Sequence, residues 1–137
     1  MNPSEALDRL AAARVARLAT VDADGVPHLV PLVYAVDDRR IFSAVDHKPK
    51  RSQRLKRLAN ITVNPAVALL ADEYSDDWSK LWWVRVDGSA KLIETGDEWE
   101  GAVELLANKY RQYRGQPPTG AVIEIAIDRI SGWSAAT

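Results

Sequence analysis

The run Trp82-Trp83-Val84-Arg85-Val86-Asp87-Gly88-Ser89-Ala90-Lys91-Leu92-Ile93 decides how the rest of this chain is read. Val84, Val86, Gly88, Ala90 and Leu92 alternate with Trp83, Arg85, Asp87, Ser89 and Lys91. A period of two sends alternate side chains to opposite sides, so 82–93 is a strand with one core face and one polar face.

Moving outward from it, Ala66 to Glu73 is apolar enough to be a buried strand, opened by the breaker Asn64-Pro65 and closed by the polar loop 74–79. On the other side Trp99, Ala102, Val103, Leu106 and Tyr110 recur at three and four, which predicts an amphipathic helix from Asp97 to Tyr113. A Gly/Pro loop at 115–120 follows. A last strand then alternates Ile123, Ile125 and Ile127 with Glu124, Ala126 and Asp128, with Trp133 shortly beyond.

Towards the N-terminus, Asn2-Pro3-Ser4 opens a helix with Asn2 or Ser4 as cap and Leu7, Leu10 and Ala11 at helical spacing, ending by Arg14. Val15 to Val21 reads as a strand. Gly25 supplies a turn that takes positive φ, and Val26 to Val36 returns as the second arm of a hairpin. Pro27 and Pro31 lie in that arm and cannot donate to a ladder, so they require an edge, a bulge or a break in pairing. A strand at 40–45 comes next. The tally is six or seven strands joined mostly by short turns, with two or three helices between groups of them. Regular βα alternation is missing, which disfavours a doubly wound sheet. The expected class is α+β, mainly antiparallel: a barrel with flanking helices.

Composition bounds the function. A chain of 137 residues is most simply one domain, 1–137. It has no cysteine, which excludes thiolate metal sites, disulfides and a cysteine nucleophile. The first residues lack the basic start and apolar core of a signal peptide, and no apolar run approaches the roughly 20 residues that span a bilayer. The expectation is a cytoplasmic protein with no membrane partner. A net charge of −1 argues against a nucleic-acid partner, since such domains carry a basic excess.

The charge is nevertheless segregated. His47-Lys48-Pro49-Lys50-Arg51-Ser52-Gln53-Arg54-Leu55-Lys56-Arg57 holds six Lys and Arg and no carboxylate, directly after a strand. Read as a helix from Lys50 to Asn60, it puts Lys50, Arg54 and Arg57 on one face and Leu55, Leu58 and Ala59 away from it. A helix entered from a strand aims unpaired N–H groups at an anion, and neighbouring cations add charge-assisted bonds. The ordinary alternative is a solvated surface helix.

Chemistry-bearing constellations are otherwise thin. His28 and His47 have no metal-ligand spacing, so no metal site is expected. Nucleophile-elbow, phosphate-loop and dinucleotide glycine motifs are missing. Asp22, Asp24, Asp76 and Asp77 read as turn carboxylates before they read as an acid–base pair. An anion site without acid, base or nucleophile is explained economically by a bound cofactor that supplies the reactivity. Trp78, Trp82, Trp83 and Trp133 are then candidates to wall a flat heterocycle, or else core and dimer interface.

Five stretches in order carry a resemblance: Val15 to His28, the strand 40–45 leading into Lys50-Arg51, Asn64 to Leu70, Trp83-Val-Arg-Val-Asp-Gly88 with Ala90, and Ile127 to Trp133. Together they resemble the pyridoxamine 5′-phosphate oxidase-like split β-barrel superfamily. More narrowly they are similar to its deazaflavin-dependent reductases, which use coenzyme F-420. The resemblance implies a homodimer with two equivalent cofactor grooves between subunits. It implies that Ser43, Lys48, Lys50, Arg51, Arg54 and Arg57 lie near the cofactor phosphate; His47, which begins the basic turn, is read as a donor to an anion or as simply exposed. Trp83 stands where the oxidases have a glutamine that contacts flavin, which argues against the oxidase chemistry. Arg129 and Trp133 become candidates for the groove of the other subunit. The function implied is hydride transfer between coenzyme F-420 and a small organic acceptor. The alternatives are an FMN-binding oxidoreductase of the same fold and a non-catalytic cofactor-binding protein. No catalytic residue is assigned; Tyr74 and His28 are the candidates for a proton donor.

Overall fold

The computed structural model describes residues 1–45 and 51–135 and, in the helix beginning at Arg51, the side chains from Lys56 onward. Among the described residues seven strands form one antiparallel sheet: β1 (Ala16–Val21), β2 (Pro27–Leu32), β3 (Ala35–Asp37), β4 (Arg40–Ala44), β5 (Ala66–Glu73), β6 (Trp82–Ile93) and β7 (Val122–Ser134). The helices among these residues are α1 (Pro3–Ala12), α2 (Arg51–Val63), α3 (Asp97–Lys109) and the single turn α4 (Gln112–Gly115). The spatial order is β2-β1-β5-β6-β7-β4-β3.

That order puts β2 and β3 at opposite edges, although only Val33 and Tyr34 separate them in sequence. Three peptide units reach about 11 Å at most. The sheet must therefore curl until its two edges nearly meet, which makes it a barrel split along the β2/β3 seam. The arm expected as one strand from Val26 to Val36 is thus two strands, and the seam has its own fastening. The Ser43 hydroxyl, fully buried on β4, donates to the Val33 carbonyl at 2.8 Å.

Both prolines sit on an edge, as their chemistry requires. Asp22 N–H donates to the Val26 carbonyl at 3.1 Å, so the even-numbered residues of β2 bond to β1 and the odd-numbered amides face outward. Positions 27 and 31 are among the outward ones. In the connecting turn Gly25 has φ 82°, and the Asp22 carboxylate accepts from the Asp24 and Val26 amides at 2.9 Å each. The Val26 amide above all holds the Asp22 carboxyl below its ordinary value.

The barrel interior is filled by Leu18, Ile41, Leu69, Val84, Val86, Ile123 and Ile125, with α1 closing one end through Ala6 and Leu10. Asn2 is the cap of α1, its side chain accepting from the Glu5 amide at 2.8 Å. A second core joins α3 to β3, β4 and β7 through Ala35, Phe42, Ala44, Ala102, Leu106 and Val122. Because α3 covers this half of the outer sheet face, Glu124 is buried there rather than solvated as its alternation suggested. Arg40 at 3.2 Å and Lys91 at 3.4 Å compensate its charge.

β6 spans 82–93 as read, with a bulge against β7 at Asp87/Gly88: Asp87 pairs with Arg129 and Gly88 with Ile127, leaving Asp128 as the extra residue. A Cβ on Gly88 would overlap the Ala126 carbonyl oxygen and approach Ile125 Cγ2 to 2.9 Å.

The helix expected over 97–113 stops at Lys109. Tyr110 is extended, at φ −117° and ψ 118°, because its phenol is drawn into a buried cluster. The phenol oxygen lies 2.8 Å from the Arg14 carbonyl and 2.9 Å from that of Tyr34, and accepts from the Tyr34 amide at 3.1 Å. The Tyr34 hydroxyl donates to Leu10 O at 2.6 Å, and Lys109 Nζ to Ala13 O at 2.7 Å. These bonds satisfy carbonyls left over at the C-terminus of α1. Lys109 also lies 4.2 Å from the centre of the Tyr34 ring. Burial, then the nearby Arg14 charge, lowers the Lys109 amine to a pKa of about 8. Burial raises the Tyr34 and Tyr110 phenols above their usual value.

Candidate functional site

The residues expected at the site fall into two groups on one chain. Ser43 belongs to the first, at the end of β4 that leads towards α2. His47, Lys48 and Lys50 lie outside the described residues, as do the side chains of Arg51 and Arg54, whose backbone forms the first turn of α2. Arg57 is half-buried on the same helix, and Lys56 is paired with Asp22 at 3.4 Å. Of the Ser43 hydroxyl, the proton is committed to the β2/β3 seam.

Trp83, Arg129 and Trp133 form the second group. Trp83 and Trp133 are register partners across β6 and β7, and Arg129 is the partner of Asp87 four register positions away. This group is at the far end of β6. Ser43 pairs with Ile123, which pairs with Leu92, and nine residues of strand separate Leu92 from Trp83. At about 3.3 Å per residue that is roughly 30 Å along the strand.

Around Trp83 the outer sheet face opens into a groove of about 440 Å³, lined by Leu70, Asp72 and Tyr74 from β5 and its continuation and by Trp83 and Arg85 from β6. The convergence follows from register: Leu70 pairs with Arg85 and Asp72 with Trp83. The side chains that face the core at 82, 84 and 86 force 83 and 85 outward. Leu70, Tyr74 and Trp133 are exposed apolar surface at 37, 65 and 45%. Asp72 is engaged by Arg17 of β1 at 2.9 Å, and Arg85 touches Asp87 through one nitrogen at 3.1 Å.

The other tryptophans serve elsewhere. Trp82 is core, its indole N–H donating to Glu73 at 3.0 Å, and Trp99 donates to the Gly120 carbonyl at 2.9 Å. Trp78 is exposed in a 3-10 turn. The two proton-donor candidates are also separated. Tyr74 lines the groove, whereas His28 faces the barrel interior opposite Thr20, with Nδ1 buried and no hydrogen-bond partner among the described residues. Sequence reading missed Leu70, Asp72 and Arg85 as groove residues. The only signal was alternation, which marks a face but not which strands share it.

No group of three or more metal-ligating side chains occurs among the described residues, and no helix among them is long and apolar enough to cross a membrane.

A curled seven-stranded antiparallel sheet split at one seam, with helices across its ends and an aromatic groove on its outer face, defines a split β-barrel protein. The family model described as pyridoxamine 5′-phosphate oxidase matches residues 3–134, and the chain belongs to that family. Solved structures repeat the fold. A conserved hypothetical protein from Mycobacterium tuberculosis is 23% identical, with TM-score 0.75 over 98% of this chain and 86% of that one. An FAD-binding protein from Mesorhizobium loti is 24% identical, with TM-score 0.72 over 96% of this chain and 94% of that one. A heme storage protein from Vibrio cholerae is 17% identical, with TM-score 0.68 over 96% and 90%. At these identities the likeness carries the fold and not the ligand. No curated protein matches the chain.

Proposed function

We propose that this protein is a cofactor-dependent oxidoreductase that moves a hydride between coenzyme F-420 and a small organic acceptor, acting as a homodimer. The carrying observation is the outer-face groove, in which an indole, a phenol and a leucine form flat apolar walls beside a guanidinium. Those walls fit a planar heterocycle. When bound, the deazaflavin ring would supply the hydride. The chain's own part is to hold the ring across the mouth of the groove, leave room beneath it against Trp83 for the acceptor, keep water out and present Tyr74 at the rim.

The dimer is supported by the separation along β6. On one chain Ser43 and the aromatic groove lie roughly 30 Å apart along the strand direction. Both groups contribute to a single cofactor site if a second copy brings its Trp133 and Arg129 to the first copy's basic segment. The exposed apolar face of Leu29, Leu70 and Trp133 gives that contact a surface.

A flavin is the second reading, favoured by the FAD-binding neighbour of the same fold. Titrating the ligand-free protein with oxidised coenzyme F-420 and, separately, with FMN, followed by tryptophan fluorescence, separates the two. Tighter binding of the deazaflavin is expected. Tighter FMN binding transfers the assignment to the flavin, and no binding of either overturns the oxidoreductase reading.

A further inference from the structure

The outer face of β1, β5, β6 and β7 carries one more cation than its carboxylates use. At the register positions around the groove stand Arg17, Arg85 and Arg129 against Asp72 and Asp87. Asp72 is satisfied by Arg17 at 2.9 Å. Asp87 touches Arg85 through a single nitrogen at 3.1 Å, with Arg129 as its ladder partner on the other side. Asp128, the extra residue of the bulge, forms no ion pair with any of these arginines.

Arg85 therefore spends one of its five N–H donors on an exposed, one-point pair, the kind that adds little stability and is readily exchanged. When Arg85 turns towards a ligand, Arg129 is placed to take over Asp87. A guanidinium binds a planar carboxylate through two parallel bonds, a stronger arrangement than the one it would leave. Beside it lie the indole of Trp83 and the side chain of Leu70, with the Tyr74 phenol at the rim.

The geometry points to a subsite for a planar, conjugated carboxylic acid: its carboxylate on Arg85, its conjugated plane against Trp83 and Leu70. This names the acceptor class of the proposed oxidoreductase and rests on that reading for its use, but the binding itself does not need the cofactor. Such an acid matches the groove in both of its parts. The flat walls take a ring or double bond, and the guanidinium of Arg85, held by one exposed contact, takes the charge.

Cinnamate and its neutral amide, cinnamamide, are the probes, titrated calorimetrically into the full-length protein. The acid is expected to bind about tenfold or more tightly than the amide, the advantage of a charge-assisted bidentate contact. Arg85→Gln should erase that preference while leaving amide binding and thermal stability unchanged, and Arg85→Lys should restore part of it. Equal affinity for acid and amide, no binding of either, or a preference that survives Arg85→Gln overturns the subsite. The cofactor titration is read separately. If neither coenzyme F-420 nor FMN binds while the Arg85-dependent preference holds, the redox reading falls and the subsite stands. If a cofactor binds and the preference is missing, the subsite falls alone.

Discussion

Two places in this barrel concentrate aromatic and basic side chains, and they use them in opposite ways. In the cluster of Tyr34, Lys109 and Tyr110, each phenol and the amine reach a backbone carbonyl within 3 Å, and the rings are buried. In the groove of Trp83, Tyr74 and Arg85, the rings are left partly open and the cation is held by one exposed contact. The residue types are nearly the same. What differs is whether their polar ends are committed to the chain itself, and that separates side chains that hold the fold from side chains free to hold a ligand.

The contrast can be broken in four ways, with effects of decreasing size. Gly88→Val inserts a side chain where the β6/β7 bulge leaves no room, and should cost about 3 kcal/mol or more in denaturant unfolding. Near-normal stability would mean that the bulge opens freely and does not fix the groove strand. Tyr110→Phe removes the hydroxyl that joins Tyr34 and Arg14, with an expected loss of about 1–3 kcal/mol because buried backbone groups lose their partner. A change below a few tenths would make the cluster as dispensable as the groove.

The third test uses pH. The Lys109 amine titrates near 8 in the folded chain against 10.5 when unfolded, so above pH 8 the unfolded state holds more protons. Its contribution to stability therefore rises with pH between about 8 and 10. Above 10 the raised Tyr34 and Tyr110 phenols act the other way, since the unfolded chain then loses protons that the folded chain keeps. Lys109→Met should flatten the rise; an unchanged slope would assign it to other groups. Finally, Trp133→Ala should alter stability by less than about 1 kcal/mol, because the indole is 45% exposed. The same variant should shift sedimentation towards monomer, and an unchanged mass would remove Trp133 from the proposed interface.

Much of the barrel was legible because its strands have one dry face. β5 and β6 follow from apolar alternation and breakers, and Pro27 and Pro31 announce an edge through the donors they lack. The seam was not legible. Leu32-Val33-Tyr34-Ala35-Val36 is uniformly strand-forming, and the break within it depends on a Ser43 hydroxyl ten residues away. Tyr110 hid for the same reason: its spacing fits a helix, and only contacts with Tyr34 and Arg14 pull it out of one. The site divided similarly. Trp83 and Trp133 stood out by type, but Leu70, Asp72 and Arg85 become neighbours only through the β5/β6 register, which alternation leaves undefined.

The prolines of β2 have a consequence for how copies of this chain can meet. Of the three outward amides at 27, 29 and 31, only Leu29 has a hydrogen to offer. A neighbouring molecule trying to extend the sheet there would find one donor in three. Runaway stacking of barrel upon barrel is thus discouraged at the rim where it would be easiest to begin.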